Sequence, residues 1–450
     1  MRKLFGTDGI RGKANCYPIT VDVALQVGKA VGRYFASNLE AAPRVIVGKD
    51  TRLSGYMLET ALTSGLLSMG VDVLAVGPMP TPAVAHLTRS MGCVCGIMIT
   101  ASHNPACDNG IKIFSSEGFK LPDEVEAEIE SMILDESLIF SKGFDNSRIG
   151  KAYRIDDARG RYIEFAKSSI KNMSLKGLKM VLDCANGAAY SIAPLIFREL
   201  GAEVIEFAVS PNGLNINDNC GATHLEPLSE MVKKHSADVG IALDGDADRV
   251  IFCDENGEVV NGDRIIGMIA LDYAERGKLQ NNSIVVTSMS NLGLHKAMKE
   301  NNIKVEVTDV GDRYVIERMK GGASNIGGEQ SGHIIFMDYA TTGDGIISAL
   351  HVLKLMNRSK KTLSELAEFM TVFPQELCSL PVKKKVPIHE LPLLSEEIKK
   401  CETTLGSSGR VIVRYSGTEN KIRLLVEAEK ASDVEFWIKE LSNAVTKEIG

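Results

Sequence analysis

The sequence lacks the features that mark membrane-spanning, secreted and nucleic-acid-binding proteins. It has no run of about 18 apolar residues, and its first residues contain no apolar stretch that could serve in a signal peptide. Its nine cysteines include no Cys-x-x-Cys pair, so buried thiols are expected rather than zinc ligands or disulfides. The formal net charge is −7, with both signs mixed along the chain, whereas nucleic acids and anionic membranes require a concentrated positive field. We therefore expect a cytoplasmic protein without nucleic-acid or membrane partners.

The composition is that of an ordinary globular protein, and the 450 residues suffice for roughly three domains. Short apolar runs alternate with segments of helical spacing, and this rhythm predicts parallel βαβ units covered by helices. The predicted fold class is α/β: three doubly wound α/β domains with mixed sheets and a smaller C-terminal α+β domain. The domains are predicted to span residues 1–150, 151–255, 256–372 and 373–450.

Several helix ends and one linker can be predicted from local signals. Thr20 is placed to cap a helix over Val21–Ala36. Capping boxes begin two later helices, at Thr362-x-x-Glu365 and at Ser432-x-x-Glu435. Residues 381–392 contain prolines and three consecutive lysines, and they are predicted to form a linker before the last strands.

Ser102 lies in the segment Thr100–Pro105, directly after an apolar run that predicts a strand. Loops that follow the carboxyl ends of parallel strands hold ligands in such sheets, so we expect Ser102 to be exposed there. For this segment alone an ordinary turn is the favoured interpretation, because Ser, Asn and Pro are common turn residues. No Gly-x-Ser-x-Gly elbow surrounds it, which argues against a serine hydrolase. Lys112 is a candidate base, since a desolvated lysine near other cations has a lowered pKa.

Three aspartates, Asp244, Asp246 and Asp248, follow another apolar run at alternate positions. We expect their side chains to point the same way, and a hard cation would relieve their mutual repulsion, with Mg²⁺ suiting a few carboxylates and a phosphate oxygen. An EF-hand calcium loop fits less well, because Arg249 stands where that loop needs Gly and predicted strands flank the segment.

Two further loops carry polar groups suited to a phosphorylated sugar. Gly327–His333 combines glycines with Glu329, Gln330, Ser331 and His333, which suits a ligand with many hydroxyls. Arg414–Asn420, followed by Arg423, offers guanidinium groups, hydroxyls and backbone N–H groups for a phosphate. A plain hairpin turn is the alternative for each loop taken alone. Near the amino terminus, Arg11 stands between glycines and could approach an anion.

Together these segments resemble the α-D-phosphohexomutase family over essentially the whole chain. The resemblance rests on Gly6–Gly12, on Thr100–Pro105, on Asp244–Arg249, on Gly328–His333 and on Arg414–Asn420, which occur in the family's order. It implies four domains around a central cleft, each contributing one loop, and a phosphosugar substrate. The resemblance leaves the oligomeric state open between monomer and homodimer.

The resemblance also implies roles for individual residues. Ser102 would be a phosphoserine, and its phosphate with Asp244, Asp246 and Asp248 would hold Mg²⁺. Catalysis would further involve Arg11, Lys112 and His333, the last two as candidates for proton transfer. Substrate would be bound by Arg249, Gly311, Asp312, Glu329, Ser331, Arg414, Ser416, Gly417, Thr418 and Arg423.

Within this family, Gln330 and the segment 310–314 favour glucosamine 6-phosphate as substrate. The implied reaction converts it to glucosamine 1-phosphate through a 1,6-bisphosphate, and the product is a precursor of UDP-N-acetylglucosamine and so of bacterial cell-wall polymers. Relatives that act on glucose or mannose phosphates by the same chemistry are the nearest alternative. A non-enzymatic metal-binding protein that keeps the fold is a second alternative.

Overall fold

The computed structural model describes residues 4–6, 8–36, 42–140, 147–416 and 420–450. The chain divides into two compact units. One comprises Met1–Met289 and Asn302–Glu368, and the other comprises Ser290–Asn301 and Phe369–Gly450. Along the described ranges, no helix is both long and apolar enough to cross a membrane.

The first sheet of the larger unit has seven strands in the order β1-β2-β6-β5-β3-β4-β7. The strands β3, β4, β5 and β7 are parallel, and β1, β2 and β6 join antiparallel. The strands are β1 (Phe5–Gly6), β2 (Gly9–Lys13), β3 (Arg44–Lys49), β4 (Asp72–Pro78), β5 (Cys95–Ile99), β6 (Asp108–Ser115) and β7 (Ala152–Arg154). The last of these lies beyond the boundary predicted at residue 150.

Helices cover both faces of this sheet because successive residues of each strand point to opposite sides. The helices are α1 (Val21–Ala36), α2 (Ser54–Ser68), α3 (Thr81–Ser90) and α4 (Asp123–Leu134). On one face, Val45 and Val47 of β3 join the core formed with α1, α2 and α4. On the other, Gly48 faces Val84 of α3.

Glycines let α1 and α2 approach each other closely. A Cβ atom at Gly65 would lie 2.3 Å from the carbonyl oxygen of Leu25, and one at Gly28 would lie 2.3 Å from that of Leu62. Both obstacles are backbone atoms of the opposing helix, so a side chain could be admitted only by separating the helices.

The second sheet has the order β12-β11-β10-β8-β9. Strands β10, β8 and β9 are parallel to one another. Strand β11 runs antiparallel to β10, and β12 runs antiparallel to β11. The elements are α5 (Ala158–Ser169), β8 (Lys179–Asp183), α6 (Ala193–Glu199), β9 (Glu203–Phe207), α7 (Glu226–His235), β10 (Val239–Leu243), β11 (Val250–Cys253) and β12 (Val259–Val260).

The third sheet has the order β14-β13-β15-β16, with only β16 antiparallel. Its elements are α8 (Gly262–Glu275), β13 (Ser283–Thr287), β14 (Lys304–Thr308), α10 (Asp312–Lys320), β15 (Ile326–Gly328), β16 (Ile334–Phe336), α11 (Gly345–Ser359) and α12 (Leu363–Ala367). The three mixed sheets confirm the predicted α/β class.

The smaller unit is built on an antiparallel sheet in the order β17-β19-β18. Its elements are α9 (Leu292–Glu300), β17 (Gln375–Pro381), α13 (Pro392–Leu405), β18 (Gly409–Tyr415), β19 (Lys421–Ala428) and α14 (Ala431–Ile449). The buried carboxylate of Glu427 accepts the backbone N–H of Leu292 at 2.7 Å and the Arg410 Nε–H at 2.7 Å. This α+β arrangement was expected, but the inclusion of α9 was not.

Two predicted helix ends are confirmed and one is wrong. Thr20 Oγ1 accepts the N–H of Val23 at 3.3 Å, and the capping box of Thr362 and Glu365 is present. The box at Ser432 is wrong, because α14 begins at Ala431 with Lys430 as its N-cap and without a side-chain cap. Ser432 already belongs to the first helical turn.

The segment 381–392 was predicted as a linker ahead of the last strands. Between the end of β17 and the start of α13 it contains only a 3₁₀ turn, Ile388–Glu390. However, β17 precedes this segment and pairs with β19 along its whole length. The segment is therefore an internal connection of the smaller unit, and it does not lead into that unit.

Replacing Gly65 with alanine is expected to force α1 and α2 apart, because the new Cβ would meet the Leu25 carbonyl. Overpacking of this kind costs about 1–3 kcal/mol of unfolding free energy, so the melting temperature measured by calorimetry should fall. A Cβ atom at Gly160 in α5 would meet no atom within 4 Å, and Gly160→Ala is the matched control that should leave the melting temperature equal or higher. A Gly65→Ala protein as stable as the control would contradict the close helix contact.

Candidate active site

Ser102 lies in the loop between β5 and β6, at the carboxyl end of the parallel strands. Its backbone is left-handed, with φ of 51°, and its N–H donates to Thr100 Oγ1 at 2.9 Å. Its hydroxyl donates to Asp244 Oδ2 at 2.6 Å. The serine was expected to be exposed, but only 1% of it is accessible, because the aspartate loop of the second sheet covers it. A non-glycine residue in a strained conformation held by several contacts is typical of functional sites.

Arg52 fixes the shape of the serine loop from within the protein. It is fully buried, and its Nε–H donates to Asp50 Oδ2 at 2.9 Å. Its two terminal nitrogens donate to four main-chain carbonyls of the loop, those of Ser102, Asn104, Pro105 and Asp108. Asn217 adds a bond from its amide to the Ser102 carbonyl at 2.9 Å. Carbonyls that would otherwise be buried without donors are thereby satisfied.

The three predicted aspartates converge, and all three are buried. One oxygen of each lies within 4.8 Å of the others. They converge for a different reason from the one predicted: β10 ends at Leu243, and a turn closed by the Ala247 N–H to the Asp244 carbonyl at 3.0 Å brings them together. Ala247 takes the left-handed conformation that this turn needs.

The donor set of the aspartates fits a hard divalent cation. Among the described residues, Asp246 Oδ1 and Asp248 Oδ1 are buried without a hydrogen-bond partner, and the Ser102 hydroxyl reaches the same cluster. Burial together with the charges of Asp248 and Asp246 raises the pKa of Asp244 well above its usual value. Carboxylate oxygens and one hydroxyl or phosphate oxygen are the ligands that Mg²⁺ takes in proteins.

Lys112 of β6 touches the same cluster. Its ammonium lies 3.0 Å from Asp246 Oδ2, 3.2 Å from Asp248 Oδ2 and 3.3 Å from Asp8 Oδ2. Burial would lower the pKa of Lys112, but Asp246, Asp248 and Asp8 outweigh it and raise that pKa well above its usual value. The expectation of a lowered pKa is therefore wrong for this arrangement, since carboxylates rather than cations dominate its surroundings.

The third sheet brings His333 and Glu329 to the same region through the turn between β15 and β16. His333 Nδ1 lies 3.5 Å from Asp248 Oδ1, and its Nε2 accepts the N–H of Gly343 at 3.0 Å. The ring proton therefore lies on Nδ1, facing the aspartate cluster. Glu329 Oε1 accepts the N–H of Gly311 at 3.1 Å, and Glu329 Oε2 accepts the hydroxyl of Ser331 at 3.3 Å.

A series of ionisable groups connects this turn to the first sheet. His333 Nε2 lies 3.5 Å from Asp312 Oδ2, and Asp312 pairs with Lys120 at 2.6 Å. Lys120 also pairs with Asp8, which contacts both Lys112 and Arg11. Arg249 continues the aspartate loop, and its Nε lies 4.0 Å from Asp248 Oδ1. The larger unit thus gathers Ser102, the aspartates, the expected cations and His333 around one region.

The predicted phosphate loop belongs to the smaller unit. Arg414 and Arg423 are direct cross-strand partners of β18 and β19, which places their side chains on the same face of the sheet. Ser416 is buried, and its carbonyl accepts the Lys385 ammonium at 2.6 Å. Gly417 and Thr418 lie outside the described residues.

Sequence reasoning missed five residues of the larger unit that support this region: Asp8, Arg52, Thr81, Lys120 and Asn217. The Thr81 hydroxyl donates to Asp246 Oδ2 at 2.6 Å. A signal existed for Arg52, because it follows β3, whose carboxyl end neighbours that of β5 in the sheet. Lys120 has no local signal, since it acts only through contacts with distant residues.

Models of the phosphoglucomutase/phosphomannomutase family match most of the chain. The α/β/α domain I model matches residues 2–139, domain II matches 160–257, domain III matches 261–373 and the C-terminal domain matches 377–444.

Full-length relatives are similar to the chain in sequence. It is 53% identical to phosphoglucosamine mutase of Citrifermentans bemidjiense, over 100% of the chain and 99% of that protein. It is also 53% identical to phosphoglucosamine mutase of Geobacter metallireducens, over 100% of both.

Solved structures share the fold at lower identity. A phosphoglucomutase/phosphomannomutase family protein of Burkholderia thailandensis superposes with a TM-score of 0.80 at 23% identity, covering 98% of this chain and 97% of that one. N-acetylphosphoglucosamine mutase of Aspergillus fumigatus, in complex with GlcNAc-6P and magnesium, superposes with a TM-score of 0.69 at 18% identity, covering 99% and 96%.

Magnesium is expected to stabilise the protein through the three aspartates. Their mutual repulsion falls when a cation binds, and a ligand at 100 times its Kd adds about 2.7 kcal/mol. Adding MgCl₂ should therefore raise the melting temperature of the wild type. Asp246→Asn should lose most of that rise, whereas Asp218→Asn, at an exposed carboxylate, should keep it. An equal rise in all three proteins would show that magnesium acts elsewhere.

Proposed function

Because the chain belongs to the phosphoglucomutase/phosphomannomutase family, we propose that it interconverts glucosamine 6-phosphate and glucosamine 1-phosphate through a phosphoserine. The observation that carries the chemistry is the contact of the Ser102 hydroxyl with the buried aspartate cluster, 2.6 Å from Asp244. The names of full-length relatives support the amino-sugar substrate.

In this reaction Ser102 carries the phosphoryl group. The bond between Ser102 Oγ and phosphorus breaks as a bond forms from phosphorus to a hydroxyl of the sugar phosphate, whose proton leaves to a nearby base. The resulting 1,6-bisphosphate turns round and returns its other phosphoryl group to Ser102. No inorganic phosphate is released, so the number of phosphoryl groups is conserved over the cycle.

Asp244, Asp246, Asp248 and an oxygen of phosphorylated Ser102 would hold Mg²⁺. The ion supplies charge compensation for the phosphoryl group, which is the main demand of phosphoryl transfer. Arg11, Lys112 and Arg249 add positive charge around the same group. His333 or Lys112 assists proton transfer, and the carboxylates around Lys112 favour its role as a cation.

Each unit is assigned substrate-binding residues of its own. In the larger unit Glu329 and Ser331 take sugar hydroxyls, with Gly311 and Asp312 beside them. In the smaller unit Arg414, Ser416, Gly417, Thr418 and Arg423 take the phosphate that does not react.

A cytoplasmic location is part of the proposal, because all nine cysteines are free thiols and reduced cysteines are typical of that compartment.

The proposed identity of the substrate is tested by comparing kcat/KM for glucosamine, glucose and mannose 6-phosphates. We expect the amino sugar to be preferred, and a preference for either neutral sugar would identify the enzyme as a phosphoglucomutase or phosphomannomutase instead.

Ser102→Ala should lower kcat by about 10⁴-fold or more, whereas Ser90→Ala, at an exposed serine, should not. Full turnover in Ser102→Ala would overturn the phosphoserine mechanism for every sugar.

Arg52 is expected to position Ser102 for transfer. Lysine cannot reproduce the planar fork that donates to four carbonyls, and a displacement of about 1 Å can cost 10²-fold in rate. Arg52→Lys should therefore lower kcat by about 10- to 100-fold while KM for the sugar phosphate changes little. Arg154→Lys, at an arginine with 81% of its side chain exposed, is the control. A kcat equal to that of the control would contradict the positioning role.

A further inference from the structure

A cavity separate from the candidate active site lies in the larger unit between helices α8 and α11. Its volume is about 230 Å³, and none of the residues assigned above to catalysis, metal or substrate lines it. Its walls are formed by α8 from Ile269 onward and by α11 from His351 onward, together with the segment that follows α8 and the residues Asp338 and Tyr339.

The cavity lining has an excess of positive charge. Four cations and two carboxylates line it, namely Arg276, Lys278, Lys354, Arg358, Asp272 and Asp338. Asp272 pairs with Arg276 at 2.9 Å and with Arg358, and Asp338 accepts the Asn325 amide at 2.8 Å. Within the described ranges, neither Lys278 nor Lys354 forms an ion pair with a carboxylate. Two positive charges therefore stand without a partner of opposite sign at one cavity.

His351 contributes an unused polar atom. The side chain is buried, with 3% exposed, and its Nδ1 lies 3.2 Å from the hydroxyl of Tyr273. Nε2 is buried and has no hydrogen-bond partner in the part of the chain that the structure describes. Burial and the nearby Lys354 and Arg276 lower the pKa of His351 to about 3, so the ring is neutral. The contact with Tyr273 allows the tautomer in which the tyrosine hydroxyl donates to Nδ1 and the ring proton lies on Nε2. In that tautomer Nε2 is a donor without an acceptor among the described residues.

Compensation of helix dipoles explains only part of this arrangement. Arg276 directly follows α8 and Arg358 lies in the last turn of α11, where cations are stabilised by the helix carboxyl ends. Asp272 also forms an ion pair with each of these two arginines. Lys354 lies more than a turn from the end of α11, and burial together with Arg276 and Lys278 lowers its pKa. Lys354 is thus a cation held near other cations, and a bound anion would reduce the repulsion among them.

We propose that this cavity binds a small phosphate-bearing anion, coordinated by Lys278, Lys354 and the Nε2–H of His351. The volume is below the range of about 300–1,000 Å³ that larger organic ligands occupy. Free phosphate or a short phosphomonoester therefore fits, and a nucleotide does not.

Tungstate, a tetrahedral dianion of the same shape as phosphate, tests the location directly. Crystals of the full-length wild-type protein soaked in tungstate should show an anomalous peak in contact with Lys354 and His351. Peaks confined to the serine loop or to the protein surface would overturn the proposal.

Equilibrium dialysis with inorganic phosphate tests the same site in solution. The wild type should bind one more phosphate per chain than the double variant Lys278→Gln/Lys354→Gln, or bind it at least tenfold more tightly. The double variant Lys299→Gln/Lys399→Gln removes the same charge at exposed lysines of the smaller unit and should match the wild type. Equal phosphate binding by all three proteins, with unchanged circular dichroism, would show that the cavity takes no phosphate.

Discussion

The repulsion among three buried carboxylates is the constraint on which the rest of the larger unit depends. Asp244, Asp246 and Asp248 have oxygens within 4.8 Å of one another and almost no exposure. Charges held this close in a buried site must be compensated, and Lys112 supplies one compensating charge from the first sheet. A metal ion would supply the other. The cluster therefore couples the folding of separate sheets to the chemistry of the site.

The sheets place their functional groups by the same rule. Ser102 follows β5, Asp244 follows β10 and Glu329 follows β15, so each loop leaves the carboxyl end of a parallel strand. Ligands bind at this end in open α/β sheets because the connecting loops diverge there. Short segments of sequence therefore control the site, while the strands behind them hold the loops in place.

Much of the candidate site could be predicted from the sequence, because its main functional groups lie in short continuous segments. The aspartate cluster occupies one short segment, and Ser102 lies beside a recognisable strand. Other features depend on contacts between distant segments. The burial of Ser102 requires the second sheet, and the raised pKa of Lys112 requires Asp8 and Asp246. Strand β6 was not predicted, because Asn109 and Lys112 are polar residues that the fold buries inside a strand. The assigned roles of individual site residues remain predictions.

Arg52 has a consequence for how this loop can vary between relatives. Its four loop acceptors are main-chain carbonyls, which every amino acid provides. The Arg52 bonds therefore do not depend on which side chains the loop carries, and Cys107, which is exposed, can be exchanged at little cost. The loop can therefore accept substitutions and still keep its shape, because Arg52, which holds that shape, lies fifty positions before Ser102 in the chain.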